Sequence, residues 1–318
     1  MIKNIYKSES RIYIGTNSRV IKCYNNKQNE YNALKIFTEQ NKNDFYNELK
    51  IINMFAPNIE NINKFIEYFE FNNEYYIVYP YYELNLRSFL QSYKININMI
   101  KYILSEIIKP LKYIHNELDS FHGDIKTDNI LVDPKNKKIK LIDFATVNKN
   151  DQIVGKHFGT LLFNAPEVIL QSVITSKCDI WSFGCLMYEM LTNNILFDSV
   201  ESDTNPSICV ADNPQVRIVS TQNKDGCDKS KVRNALLNCA HHILQLKSIM
   251  KICGNINEEI VPQDIELPTK CINEIIYDKL CEFNIRDKNL ANIIGATVVI
   301  DPSKRPSIND LDEMISSI

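Results

Sequence analysis

Glycine is scarce in this chain, 8 residues in 318. Any loop that must bring its backbone close to a phosphate therefore has few positions free of a Cβ. Long hydrophobic runs are missing as well. The longest, such as Ile293 to Ile300, fall far short of the roughly 18 to 20 apolar residues that cross a bilayer. Lys3 and Lys7 are not followed by an apolar core, so neither a membrane span nor a signal peptide is expected. There is no excess of one charge: 36 Lys and Arg stand against 39 Asp and Glu, a net charge of −3 spread along the chain. This disfavours nucleic acid as a partner, because a phosphate footprint needs a gathered basic face. The nine cysteines are odd in number, run from Cys23 to Cys281 and include no C-x-x-C pair. They read as reduced thiols of a cytoplasmic or nuclear protein rather than a disulfide framework. Cys239-Ala-His-His242 has no second ligand cluster and reads as a helix face, not a metal site.

What is present is a hydrophobic fraction of 44% over a length at which one core usually divides in two. The first eighty residues read as short strands rich in Ile, Val, Tyr and Phe, broken by turns at Asn25 to Asn29 and Asn72 to Glu74. One helix interrupts them: Phe45, Leu49, Ile52 and Met54 fall near helical spacing over Asp44 to Phe55, with Asp44 in the first turn. After Pro80 the pattern turns to long amphipathic helices, the clearest over Asn98 to Asn116 with Ile100, Ile103, Leu104, Ile107, Leu111 and Ile114 on one face. The expected fold class is α+β, with a small strand-rich lobe over about 1–80, a join near 80–84 and a larger helical lobe over about 85–318. A stretch rich in Ser, Asp, Asn and Pro, about 198–231, has weak periodicity and reads as an insertion.

The strongest chemical signal is His122-Gly-Asp-Ile-Lys-Thr-Asp-Asn129, followed after a turn by Lys140-Leu-Ile-Asp-Phe-Ala145. Here the sequence resembles the eukaryotic protein kinases, whose catalytic loop reads H-R-D-x-x-x-x-N and whose metal-binding strand end reads D-F-G. Transfer of a phosphoryl group needs a carboxylate to orient and deprotonate the acceptor hydroxyl, and oxygen ligands for the magnesium that neutralises the phosphates. The resemblance implies Asp124 as that carboxylate, Lys126 supporting the moving phosphoryl group, and Asn129 and Asp143 as metal ligands. H-G-D with a downstream Asn and Asp also resembles small-molecule phosphotransferases such as the aminoglycoside and choline kinases. The downstream segments favour a protein kinase: Gly159 to Glu167 resembles the stretch ending in A-P-E, Asp179-Ile-Trp-Ser-Phe-Gly184 a buried helix start, and Asp301 to Pro306 the stretch whose Arg pairs with the A-P-E glutamate. They imply a buried pair between Glu167 and Arg305 and an Asp179 that anchors the catalytic-loop backbone. Lys126 with Thr160 resembles the Ser/Thr-specific kinases.

Ala33-Leu-Lys35 resembles the V-A-I-K strand, with Lys35 on the α- and β-phosphates and Glu48 as its ion-pair partner across a tight connection. Ile12 to Val20 aligns with the glycine-rich loop, but only Gly15 is retained; Tyr13 and Ser18 stand where glycines are usual. In register with those kinases, the resemblance implies Tyr79 as gatekeeper, Tyr81 along the adenine edge and Leu131 beneath the base, so the expected nucleotide set is Ile12, Gly15, Val20, Ala33, Lys35, Tyr79, Tyr81 and Leu131. Gly123 replaces the Arg that a phosphorylated activation loop neutralises, which makes loop phosphorylation dispensable as an expectation, and Ala145 replaces the glycine of D-F-G. Glu189 to Phe197 and His242 to Gly254 resemble the cyclin-dependent and MAP-type branch. The resemblance as a whole implies a Ser/Thr protein kinase using ATP and Mg2+ on a protein substrate, with a regulatory partner at the insertion. Its rival is a pseudokinase scaffold, motivated by Tyr13, Ser18, Gly123 and Ala145.

Overall fold

The computed structural model describes residues 2–15, 17–55, 59–151, 158–198, 240–256 and 267–318. The expected insertion, apart from Asp198, lies outside the described residues, as does Cys239. The fold is α+β, and the chain divides into two compact units: Met1–Phe89 with Asp128–Val147, and Leu90–Thr127 with Asn148–Ile318. The segment that carries Asn129 and Asp143 thus belongs with the strands that carry Lys35.

The first unit is built on an antiparallel sheet of β1 (Tyr6–Ile14), β2 (Arg19–Asn25), β3 (Glu30–Thr38), β4 (Glu67–Phe71) and β5 (Glu74–Pro80), in the spatial order β1-β2-β3-β5-β4. The asparagine turns of the sequence close its hairpins. Asn72 and Asn73, with φ of 52° and 60°, supply the two left-handed residues that a two-residue turn between twisted strands requires. Tyr6, Ile21, Cys23, Leu34, Ile36, Tyr76 and Val78 form the core against one face of the sheet. Because side chains alternate along a strand, Val20, Ala33, Lys35, Ile77 and Tyr79 stand on the other face, with Val20 opposite Lys35 and Ala33 opposite Tyr79 in the ladders.

Helix α1 (Lys42–Met54) follows β3 after a single 3-10 turn at Glu39–Asn41. That explains how Lys35 and Glu48 can be only 13 residues apart: no loop intervenes. Its buried residues Phe45, Glu48, Leu49 and Ile52 share one face. The unit also holds a small sheet of β6 (Leu84–Asn85), β8 (Ile130–Asp133) and β9 (Lys138–Leu141) in the order β6-β8-β9, in which the Lys-rich turn closes the hairpin expected of it and the pairing of β6 is new.

The second unit is helical and includes the end of α2 (Leu86–Ser92) and the short α4 (Pro166–Ile169). Helix α3 (Ile97–Lys112), capped by the Asn96 side chain on the Met99 N–H at 2.9 Å, continues into a π-helical turn at Tyr113–Glu117. Helix α5 (Lys177–Thr192) is buried almost all round, which marks it as the centre of this unit rather than a surface helix. It packs against α3 and the helix Lys288–Thr297, and the C-terminal helix Ile308–Ser316 covers α3. A short antiparallel pair joins β7 (Ser120–Phe121) to Asn148–Lys149.

Candidate active site

In the first unit, three charged side chains converge. Lys35 Nζ lies 2.6 Å from Glu48 Oε2 and 3.0 Å from Asp143 Oδ1. Burial works against the ammonium, but the carboxylates of Asp143 and Glu48 outweigh it and hold the Lys35 pKa above its ordinary range, so the side chain is a permanent cation. Glu48 is 2% exposed, and its second oxygen is also bound: the Tyr79 hydroxyl donates to Oε1 at 2.6 Å. Burial, and then the neighbouring Glu48 carboxylate, keep that phenol protonated and therefore a donor.

Asp143 adopts a left-handed backbone, φ 63°, at the end of the strand that began at Lys138. Next to it, the Ile142 N–H donates to the Asn129 carbonyl at 3.0 Å, which ties the two predicted metal ligands together. Their side chains offer an amide oxygen and a carboxylate, a hard-oxygen set that suits Mg2+. Among the described residues no group of three or more His, Cys, Asp or Glu gathers as a metal site.

The remaining predicted nucleotide contacts are distributed along the same unit. Val20 and Ala33 are half-buried on β2 and β3, and Leu131 is half-buried on β8 opposite Lys140. Tyr81 meets Tyr31 edge-on at 6.2 Å, with the Lys22 ammonium 4.7 Å from its ring centre. Ile12 is 50% exposed on β1. Gly15 closes the β1–β2 hairpin by donating to the Ser18 carbonyl at 2.8 Å. A Cβ at this position would fall 2.6 Å from the Tyr13 ring, so the one retained glycine admits the tyrosine that replaces its neighbour.

The second unit holds the residues expected to handle the acceptor proton and the moving phosphoryl group. Lys126 Nζ donates to Thr160 Oγ1 at 2.6 Å, Thr160 Oγ1 donates to Asp124 Oδ1 at 2.7 Å, and Lys126 lies 2.9 Å from Asp124 Oδ2. This closed triangle fixes the Asp124 carboxylate from both oxygens. The loop beneath it hangs from α5: the backbone N–H groups of His122 and Gly123 donate to Asp179 at 2.7 and 2.8 Å. Asp179 is wholly buried, which alone would raise its pKa, yet His115 Nε2 at 2.8 Å and these donors hold it below its ordinary value. Thr127, on the same loop, donates to Glu189 Oε2 at 3.0 Å. Glu167 and Arg305 form the expected pair, a two-pronged contact at 2.6 and 2.9 Å with the Arg side chain fully buried.

Two glycines draw the segment before Glu167 against the Asp124 loop. Gly159 has φ 70°, and a Cβ there would lie 2.4 Å from the Gly123 carbonyl and 2.6 Å from Asn164 Oδ1. Gly123 has φ 82°. Phe121 stacks on Phe158 with ring centres 5.7 Å apart, and Asn164 Nδ2 donates to the Phe158 carbonyl at 2.9 Å.

Comparison with known proteins decides the family. Residues 6–314 match the protein kinase domain model. The chain belongs to the protein kinase family. The kinase is 31% identical over 195 residues to the "Probable serine/threonine-protein kinase dyrk2" of Dictyostelium discoideum, covering 58% of this chain and 21% of that protein. It is 25% identical over 250 residues to serine/threonine-protein kinase prpf4B of the same organism, 75% of this chain and 29% of that one. Against mitogen-activated protein kinase pmk-1 of Caenorhabditis elegans it is 30% identical over 152 residues, 48% and 38% of the two chains. The kinase spans well under half the length of these relatives. They fall in the cyclin-dependent and MAP-type (CMGC) group, the branch expected from the segments around Glu189 and His242. No helix among the described residues is long and apolar enough to cross a membrane.

The sequence reading did not find the Tyr79 bond to Glu48, the support of Asp179 by His115, the Thr127 to Glu189 bond or the contact between Gly123 and Gly159. The only signals available were a tyrosine at the end of an apolar strand and two isolated glycines.

Proposed function

We propose that the chain is an active Ser/Thr protein kinase, transferring the γ-phosphoryl group of MgATP to a hydroxyl of a protein. The observation that carries this reading is the joint presence of the Lys35–Glu48–Asp143 network and the Asp124–Lys126–Thr160 triangle. A scaffold has no physical need for both. Asp124 orients the acceptor hydroxyl and takes its proton, while the acceptor oxygen bonds to the γ-phosphorus and the bond from that phosphorus to the β–γ bridging oxygen breaks, leaving ADP. Lys126 stabilises negative charge on the phosphoryl oxygens, and Lys35 orients the α- and β-phosphates. Asn129 and Asp143 would hold Mg2+, which supplies charge neutralisation to the phosphates. Val20, Ala33, Tyr81 and Leu131 supply the apolar contacts for the base.

The cytoplasmic or nuclear setting and a protein partner at residues 198–231 belong to the same reading. Activation by loop phosphorylation does not. Between Asp143 and Glu167 the only hydroxyl side chains are Thr146 and Thr160, Thr160 is already engaged by Asp124 and Lys126, and position 123 holds no Arg to receive a phosphate.

The second reading, a pseudokinase that binds nucleotide or partner with little transfer, is favoured by the Tyr13 ring lying against Gly15. Magnesium-dependent transfer of labelled γ-phosphate to a generic Ser/Thr substrate separates the two. The wild type is expected to exceed Asp124→Asn by about 10²- to 10⁴-fold, the usual size of a general-base contribution. Equal signals from the two proteins would establish the scaffold.

A further inference from the structure

The bond between Tyr79 and Glu48 gives the first unit a second fastening that the ion pair does not need for charge balance. Lys35 already has two carboxylates, at 2.6 and 3.0 Å. Glu48 is nonetheless held at both oxygens, by the Lys35 ammonium from β3 and by the Tyr79 phenol from β5, each at 2.6 Å. A carboxylate held at one oxygen can rotate about its last bond; held at both, by donors on adjacent strands, its plane and its helix are fixed against the sheet. The register makes this reach available, since Tyr79 sits opposite the small Ala33, two residues from Lys35 on the same strand face. The phenol is 9% exposed and stays protonated, so the bond persists through the neutral range.

We propose that Tyr79 is a positioning residue for phosphoryl transfer: its hydroxyl locks Glu48, and through Glu48 aims Lys35, so that α1 stays seated without an activating partner or phosphate. The consequence follows from the order in which contacts change. Lys35 must loosen its hold on Asp143 and share itself with phosphate oxygens when nucleotide binds. At that moment the Lys35–Glu48 bond is the one under competition, and the Tyr79 bond is not. An aiming contact of this kind matters most when geometry is most demanding, so its loss falls on kcat more than on the KM for ATP. This proposal rests on the kinase reading for its catalytic readout, but the lock itself has a readout that needs no activity.

The test is a double-substitution cycle of Tyr79→Phe and Glu48→Ala, each alone and together. Tyr79→Phe keeps the ring and deletes the hydroxyl. Two quantities are read: kcat and KM for MgATP, and amide hydrogen exchange of residues 42–54 in the nucleotide-free protein. Tyr79→Phe is expected to lower kcat about 5- to 20-fold with KM for ATP within about 2-fold, and to speed exchange in α1 about 10-fold. In the Glu48→Ala background the same change is expected to alter both by less than about 2-fold. Unchanged kcat and exchange in Tyr79→Phe overturn the proposal, as does an equal loss in the two backgrounds, which would mean that the phenol acts elsewhere. If the wild type transfers no phosphate, the kinase reading fails and the exchange cycle alone decides the lock. If Tyr79→Phe proves unstable, Tyr79→His, which retains a donor on a shorter arm, takes its place: slower exchange in α1 than in Tyr79→Leu supports the lock, and equal exchange overturns it.

Discussion

Lys35 and Tyr79 stand on one face of a sheet whose other face carries the core of Tyr6, Ile21, Leu34, Ile36 and Val78, whereas the loop His122–Lys126 hangs from inside a buried helix. In the first unit, the pleat of the strands sets Lys35 and Tyr79 apart from that cluster, while Glu48 shares the buried face of α1 with Phe45, Leu49 and Ile52. In the second, chemistry and core share residues: Asp179 is both part of the α5 interior and the acceptor of two loop N–H groups, and Arg305 is buried against Glu167, Trp181 and the Lys177 carbonyl. The departures from the kinase pattern at Tyr13 and Ser18 fall in the first unit, on an exposed hairpin where a change costs little stability. The segments around Glu167, Asp179 and Arg305, which match the pattern, fall where a change costs both stability and activity.

This contrast can be broken by substitutions. The largest expected effect is Arg305→Leu, which leaves the Glu167 carboxylate buried without its partner and should destabilise the protein by about 3 to 5 kcal/mol. Denaturant unfolding measures it, and a loss below about 1 kcal/mol would dissolve the contrast. Next comes Asp143→Asn in the first unit, where the side chain is 38% exposed. Transfer should fall by about 100-fold or more while the unfolding midpoint stays close to the wild type, since an electrostatic contribution to the reaction is removed and no core contact is lost. A large shift in the midpoint would show that site and core are coupled in the first unit too.

Smaller is Gly159→Ala. The φ of 70° and the 2.4 Å approach to the Gly123 carbonyl should cost about 1 to 3 kcal/mol and lower transfer through the adjacent Thr160. Calorimetry and steady-state kinetics on one preparation read both losses, which are expected together; loss of activity alone would contradict the shared architecture of this unit. The smallest effect is none at all: phosphatase treatment should leave activity within about 2-fold, because Thr146 and Thr160 are the only hydroxyl side chains between Asp143 and Glu167 and position 123 holds no Arg to receive a phosphate. Phosphatase inactivation, followed by recovery with a Thr146→Glu variant, would refute that.

Legibility in the sequence followed the same divide between local and tertiary information. Glu167 with Arg305, Lys126 with Thr160, Lys35 with Glu48 and the Asp179 anchor were expected as pairs because each partner stands inside a short motif that can be recognised without knowing the fold. Helix α1 was readable from the spacing of Phe45, Leu49 and Ile52, and the hairpins from their asparagines. Tyr79 was read as a residue near the base, yet its bond to Glu48 depends on the register of β5 against β3, which a single sequence leaves open. The hairpin of Ile130–Asp133 and Lys138–Leu141 is legible from its Lys-rich turn, but its pairing with Leu84–Asn85 is not, because a strand of two residues is too short for periodicity to show. His115 looked like one more residue of an amphipathic helix; only the π-helical turn and the approach of α5 give it a role.

The back-to-back glycines at 123 and 159 also restrict how this kinase could acquire a new form of control. An arginine introduced at position 123 would have to adopt a φ of about +82°, a conformation that side-chain-bearing residues rarely hold, while its carbonyl remained pressed against position 159. Gly123→Arg would carry a backbone cost that the glycine does not. Phosphate sensing at this loop would therefore begin with a backbone cost, incurred before any phosphate is bound.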